Sequence, residues 1–348
     1  MLSFIRNSIW MLARMAENND PTNKASDDVI DPGPAPVSFE ELQQRVIEGT
    51  IREDELAAYF IEVPSSPETL QPEFVLNPAL VEVPLEEATL ESARLMNTAN
   101  AWCYMMRKNA YYRRINQPGG NQLIRIIAEG DSWFQYPFIL HDVIDHIADR
   151  KDVAVRCFSA AGDVLSNMVA RPQFLEAIRV EKPKYFLLSG GGNDLVDGDG
   201  LRKLLKKYDP ALKPEQYLNA EYAAFKARLL RLYKDILEMI YREDPTVVVI
   251  CHGYAYAIPD SKRGGWLGKP MEELGIGDKD LQYKIMTVIV NDINEAVAKA
   301  VEQSPGTAHF VDNRKTLPKD PKCWHDEFHP TSEWFGKVAA GISALIKK

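Results

Sequence analysis

Residues 123–134 read LIRIIAEGDSWF. A β-branched run, Leu123–Ala128, passes into Gly130-Asp131-Ser132, a turn built from residues that suit turns. The pattern recurs along the chain. Val153–Ser159 runs into Ala160-Ala161-Gly162, and Tyr185–Ser189 into Gly190-Gly191-Gly192-Asn193-Asp194. Val247–His252 opens a long loop. His309–Asp312 is followed, a short way on, by Asp326-Glu327-Phe328-His329-Pro330. Helical patterns lie between these runs at about 139–149, 164–180, 217–243 and 279–303, with one more at 331–347. Strand–helix alternation of this kind predicts βαβ units with right-handed crossovers, and a parallel sheet covered on both faces. Two loops, 195–216 and 253–278, have the length of functional or mobile segments.

The first 118 residues have a different texture. MLSFIRNSIWMLARMA (1–16) carries Arg6 and Arg14 and no acid, with Leu2, Ile5, Ile9 and Leu12 on one helical face. Its longest apolar run, Ile9–Ala13, is too short for a signal-peptide core. The reading is an amphipathic helix docking on the protein itself or a partner; a targeting or membrane-surface helix is the alternative. Residues 17–37 are acidic and rich in Pro and Gly, as linkers are. Ser38 with Glu41 predicts a capping box, and Gly49 a helix end. A second short helix is expected over Arg52–Phe60, extended chain over 64–84, and a longer helix over Leu85–Arg114. The expected organisation is an acidic, partly helical extension, 1–118, and an α/β domain, 119–348.

The charge divides along the same line. The 348 residues carry 41 basic and 50 acidic side chains, a net charge of −9. Residues 17–91 hold eighteen acids and three bases, whereas 119–348 are nearly balanced, 32 against 31. Such a chain lacks the basic face that binding nucleic acid requires. A partner of the extension should be basic, and the helix end Arg107–Arg114 of the same chain is the first candidate. No run approaches the length of a membrane span. Cys103, Cys157, Cys251 and Cys323 form no CxxC pair, which suits buried thiols in a reducing compartment. A cytoplasmic location is expected, with delivery by a non-classical route as the other possibility.

In an open parallel sheet, ligands bind outside the carboxyl ends of the strands. Four polar or glycine clusters therefore converge on one edge, and their residue types form a chemical set. A serine hydroxyl becomes a nucleophile when a base takes its proton. His329 suits that base, with Asp326 three residues earlier to hold its ring. The N–H groups of Ser132 and Gly162 and the side-chain amide of Asn193 are candidate donors to an oxyanion. These blocks, in this order, resemble those of the SGNH, or GDSL-type, hydrolase family over about 120–348. The resemblance implies a three-layer α/β/α sandwich with a five-stranded, flavodoxin-like sheet of order 2-1-3-4-5. It also implies Ser132 as nucleophile, His329 as base, Asp326 as its partner, and an oxyanion hole of Ser132, Gly162 and Asn193. Two positions depart from the family pattern: Trp133 stands where Leu is usual, and the Gly162 block lacks the accompanying Asn and second Gly.

The implied activity is hydrolysis of a carboxylic ester through an acyl-enzyme, with no metal and no cofactor. The substrate is a small-molecule ester, a lipid ester or an acetylated glycan. Trp133, Tyr136, Tyr254, Tyr256 and Trp266 are the candidate pocket wall. His325 is the nearest rival base, and His252 reads as a packed strand-end residue. His141, His146 and His309 read as structural. The contrasting function is a catalytically silent protein whose extension binds a protein partner. A lid over the site is a further role for that extension.

Overall fold

The computed structural model describes residues 34–63, 73–82, 92–197 and 200–348. The helix expected over 1–16 and most of the linker lie outside these residues. After the short strand β1 (Val37–Ser38) the Ser38 hydroxyl caps α1 (Phe39–Glu48) by accepting the Glu41 N–H at 3.1 Å. Gly49 ends that helix in the left-handed region, φ 67°. The second helix, α2 (Glu53–Ala57), is shorter than expected because Phe60 is drawn into a sheet. There β2 (Phe60–Val63) pairs antiparallel with β3 (Glu73–Leu76), and Phe60 opposite Leu76 is buried. β4 (Val81–Glu82) pairs with β1. The extended chain expected over 64–84 is thus partly sheet. Helix α3 (Ser92–Asn116) ends close to the expected place, while the first turns expected for it lie outside the described residues.

The main sheet comprises β5 (Ile124–Glu129), β6 (Val153–Cys157), β7 (Tyr185–Leu188), β8 (Val248–His252) and β9 (Ala308–Val311). Its order is β6-β5-β7-β8-β9 and every pair is parallel. Counted from β5 this is 2-1-3-4-5, the order the resemblance implies. All residues of β6 and β7 are buried, the signature of a sheet covered on both faces. The covering helices are α4 (Val143–Ala148), α5 (Leu165–Ala170), α6 (Gln173–Glu181), α9 (Ala220–Glu243), α11 (Lys279–Glu302) and α12 (Ser332–Ser343). Three shorter ones, α7 (Gly192–Val196), α8 (Gly200–Leu204) and α10 (Gly268–Glu273), lie in the loops. The single helix expected over 164–180 is two. Pro172, which has no N–H to give and clashes with the preceding turn, separates α5 from α6. All four cysteines are buried free thiols.

The boundary expected at 118/119 falls inside one compact unit, Pro36–Lys348. Helix α3 packs against β6 and β3, and buries Trp102, Cys103 and Tyr111. The expected cationic partner of the acidic extension is used otherwise. Arg107 is buried and ion-pairs with Asp142 and Asp145, each at 2.7 Å, while also donating to the Phe134 carbonyl. Arg114 donates to the carbonyls of Ala148 and Arg150. Arg107 and Arg114, at the basic end of α3, thus dock on the α/β part. Losing Arg107 would leave the wholly buried Asp142 carboxylate uncompensated. Arg107→Ala is expected to lower unfolding stability by about 3–5 kcal/mol in urea titration. A loss near zero would mean that α3 is only loosely attached. Among the described residues no helix is long and apolar enough to cross a membrane.

Candidate active site

The sheet brings the loops after β5, β7, β8 and β9 to one edge. Gly130 is required there: a Cβ on it would stand 2.7 Å from the Ser189 Cβ, so only glycine lets the ends of β5 and β7 approach this closely. Asp131 then sets the turn. Its carboxylate accepts the Trp133 N–H at 3.1 Å, the Ser189 hydroxyl at 2.7 Å and the Tyr254 hydroxyl. Ser132 is held beside it, 5% exposed.

The Ser132 Oγ lies 2.7 Å from His329 Nε2, and His329 Nδ1 lies 2.6 Å from Asp326 Oδ2. The other Asp326 oxygen accepts the N–H groups of Phe328 and His329 at 2.7 and 2.8 Å. The three-residue spacing thus lets one carboxylate hold both the backbone and the ring of the same histidine. Burial would raise the Asp326 carboxyl, but the His329 ring and the two N–H bonds outweigh it and hold it below its ordinary value. An ionised Asp326 accepts the hydrogen bond from Nδ1–H, leaving the Nε2 lone pair for the serine O–H.

Asn193, at the start of α7, lines a narrow cleft together with Ser132 and His329. One hydrogen of its amide is committed to the Asp163 carbonyl at 2.8 Å, which leaves the other free. Gly162 precedes that carbonyl with φ 81°, a left-handed conformation that a side chain would strain. It does not itself line the cavity. Asp194 ties the two loops by accepting the Leu165 N–H at 3.0 Å, and burial pushes its carboxyl up to about 6.

Of the five expected wall aromatics, Trp133, Tyr254 and Trp266 line the cavity, together with Phe328. Tyr136 is set behind it, edge-on to the His329 ring at 4.8 Å. Tyr256 is turned away and donates to Asn291 at 2.9 Å. The Trp133 indole donates to the Phe328 carbonyl at 3.1 Å, so it also braces the base loop. His252 is fully buried and stacked on Trp133, and burial lowers its pKa. It is therefore a neutral packed residue, as read from its place at a strand end.

Two acids that the sequence does not single out hold the base loop. The buried Glu327 accepts the N–H groups of Asp260, Leu267 and Gly268 at 2.6, 3.0 and 2.7 Å. Burial outweighs these bonds and raises its carboxyl to about 7. Glu62, on β2, accepts from the Tyr136 hydroxyl at 2.6 Å and from His325 Nε2 at 2.8 Å. The bond to Glu62 raises the His325 pKa against the effect of burial. A histidine raised in this way stabilises the fold fully below its ordinary value, and the contribution fades as pH rises through the raised one. Hydrogen exchange in β2 and β3 should therefore quicken as pH rises past about 6.5, after correction for intrinsic rates. Glu62→Gln should remove that dependence. A pH trend identical in the variant would show that the pair does not hold the hairpin.

No family model matches the chain, and no curated protein matches it in sequence. Solved structures do. An extracellular lipase from Streptomyces rimosus is 14% identical, over 64% of this chain and 100% of that one, with a TM-score of 0.44. Phospholipase A1 from Streptomyces albidoflavus is 13% identical over the same shares, also with a TM-score of 0.44. A family 3 carbohydrate esterase from Clostridium thermocellum is 13% identical over 64% of this chain and 94% of that one, with a TM-score of 0.38. The likeness to each is one of fold.

Proposed function

We propose that this SGNH-type sandwich is a serine-dependent hydrolase of carboxylic esters. The observation that carries the reading is the continuous hydrogen-bonded line Ser132–His329–Asp326, with links of 2.7 and 2.6 Å, at the carboxyl edge of the sheet. Ser132 Oγ attacks the ester carbonyl carbon as its proton passes to His329 Nε2. The N–H group of Ser132 and the free amide hydrogen of Asn193 receive the oxyanion, while Gly162, set back from the cavity, precedes the Asp163 carbonyl that holds Asn193. The intermediate expels the alcohol, which takes the proton from His329. Water then attacks the acyl-enzyme by the same route and releases the acid. Throughout, Asp326 stabilises the imidazolium.

The cleft beside Ser132 has room for little more than a water and is walled by aromatic rings, which favours a short acyl group over a long chain. On acetate and palmitate esters of one alcohol, the wild type should be faster with acetate. Asn193→Ala should lower kcat on acetate by about 10²–10³, the usual loss for one oxyanion donor. A variant as fast as the wild type would remove Asn193 from the mechanism. A preference for palmitate would remove the short-acyl reading and leave the serine mechanism standing.

A further inference from the structure

Away from Ser132, His141, His146 and Asp149 meet around helix α4. One ring nitrogen of each histidine and a carboxylate oxygen of Asp149 lie within 4.8 Å of one another. The two imidazoles stand edge to face with centroids 4.4 Å apart. His146 Nε2 lies 2.7 Å from the Ser332 carbonyl. A carbonyl cannot donate, so Nε2 carries the proton and Nδ1 keeps a lone pair. The ring lies over Gly336 of α12, where a Cβ would meet its atoms at 3.0–3.4 Å. A histidine oriented by donating its other ring N–H to a backbone carbonyl has the usual surroundings of a metal ligand. His141 Nε2 is 2.9 Å from Asp149 Oδ2, and its Nδ1 faces Asp145 at 3.9 Å. The Asp149 carboxylate is 68% exposed. Arg107 and Arg114 line the neighbouring groove, but Arg107 is committed to Asp142 and Asp145 and Arg114 to backbone carbonyls.

We propose that His141, His146 and Asp149 bind one divalent transition-metal ion of the zinc type. Two imidazoles and one carboxylate suit Zn²⁺ and disfavour Mg²⁺ and Ca²⁺, which take oxygen ligands. Bonds of about 2.0–2.2 Å set the ligand atoms of a tetrahedral ion roughly 3.3–3.5 Å apart. The His141–Asp149 contact therefore opens slightly and His146 closes, leaving a fourth position for water. The ion replaces the proton between His141 Nε2 and Asp149. A neutral His141 keeps that proton on Nδ1, facing Asp145, and binds the ion through the Nε2 lone pair. The site also has a structural consequence. The His141 N–H donates to the Ser332 Oγ at 3.0 Å and His146 holds the Ser332 carbonyl, so both histidines grip the start of α12, three residues after His329. A bound ion fastens α4 to that junction.

Calorimetric titration of the full chain with Zn²⁺ tests this, with Mg²⁺ as control. One Zn²⁺ per chain should bind and raise Tm, and Mg²⁺ should do neither. His141→Ala and Asp149→Asn should each weaken Zn²⁺ binding by at least about tenfold and abolish the rise in Tm. Neither residue carries the Ser332 carbonyl contact, so both variants should fold, which circular dichroism checks. If Zn²⁺ does not bind, or binds both variants as tightly as the wild type, the proposal is overturned.

Discussion

Ser132→Ala should lower kcat for ester hydrolysis by a factor on the order of 10⁵–10⁶ while leaving the fold in place. The Ser132 hydroxyl has one side-chain partner, His329 Nε2 at 2.7 Å, and its removal leaves the His329–Asp326 pair and the oxyanion donors intact. The stability cost should be about that of one hydrogen bond, on the order of 1 kcal/mol. Steady-state kinetics on an acetate ester and a thermal melt of the same sample separate the two effects. A variant with wild-type turnover would remove the acyl-enzyme from the account. A variant that fails to fold would show instead that the hydroxyl is needed to assemble the loops.

The second large effect is expected from Asp326→Asn, about 10⁴ in kcat. One Asp326 oxygen holds two backbone N–H groups and the other holds His329 Nδ1–H. An asparagine can keep the first role with its carbonyl. It then presents an NH₂ to Nδ1, which must become the acceptor. The ring proton moves to Nε2, where it faces Ser132, and no lone pair is left to take the serine proton. Geometry is preserved and the base is lost, so KM should change far less than kcat. A loss below tenfold would mean that His329 does not need the Asp326 charge.

The parts of the site that were readable share one property: they lie in short segments after strands. Ser132 and Asn193 each follow directly on a β-run whose composition marks it, and the Asp326–His329 pair comes further on after β9, so the parallel sheet brings them to one edge. Gly162 reads as an oxyanion donor, and the structure gives it a left-handed φ that favours glycine. Pro172 is a local signal for the break between α5 and α6, yet the expected helix runs across it. Glu62 was not readable. It is one acid among eighteen in an acidic stretch, and its partners Tyr136 and His325 lie 74 and 263 residues away. Nothing local distinguishes a long-range contact of that kind.

Tyr256 failed for a related reason. Aromatics at alternate positions of one loop, Tyr254 and Tyr256, point different ways: one into the cavity, the other to Asn291. Composition alone does not choose between them. The boundary at 118/119 misled because charge and texture report solvent exposure and flexibility, whereas compactness is set by packing. Helix α3 is amphipathic only weakly in sequence, yet it packs Trp102 against Phe39 and Phe60 and joins Arg107 and Tyr111 to Asp142 and Glu181 of the α/β part. The acidic excess of the chain lies before that helix, while the residues after it, 119–348, are nearly balanced.

The most direct test of the serine mechanism is covalent labelling of the full chain with a fluorophosphonate, read by peptide mass spectrometry. One phosphonyl adduct on Ser132 is expected in the wild type, much slower labelling in Asp326→Asn, and none in Ser132→Ala. Absence of an adduct from the wild type, or equal labelling of Ser132→Ala at another residue, would contradict the account.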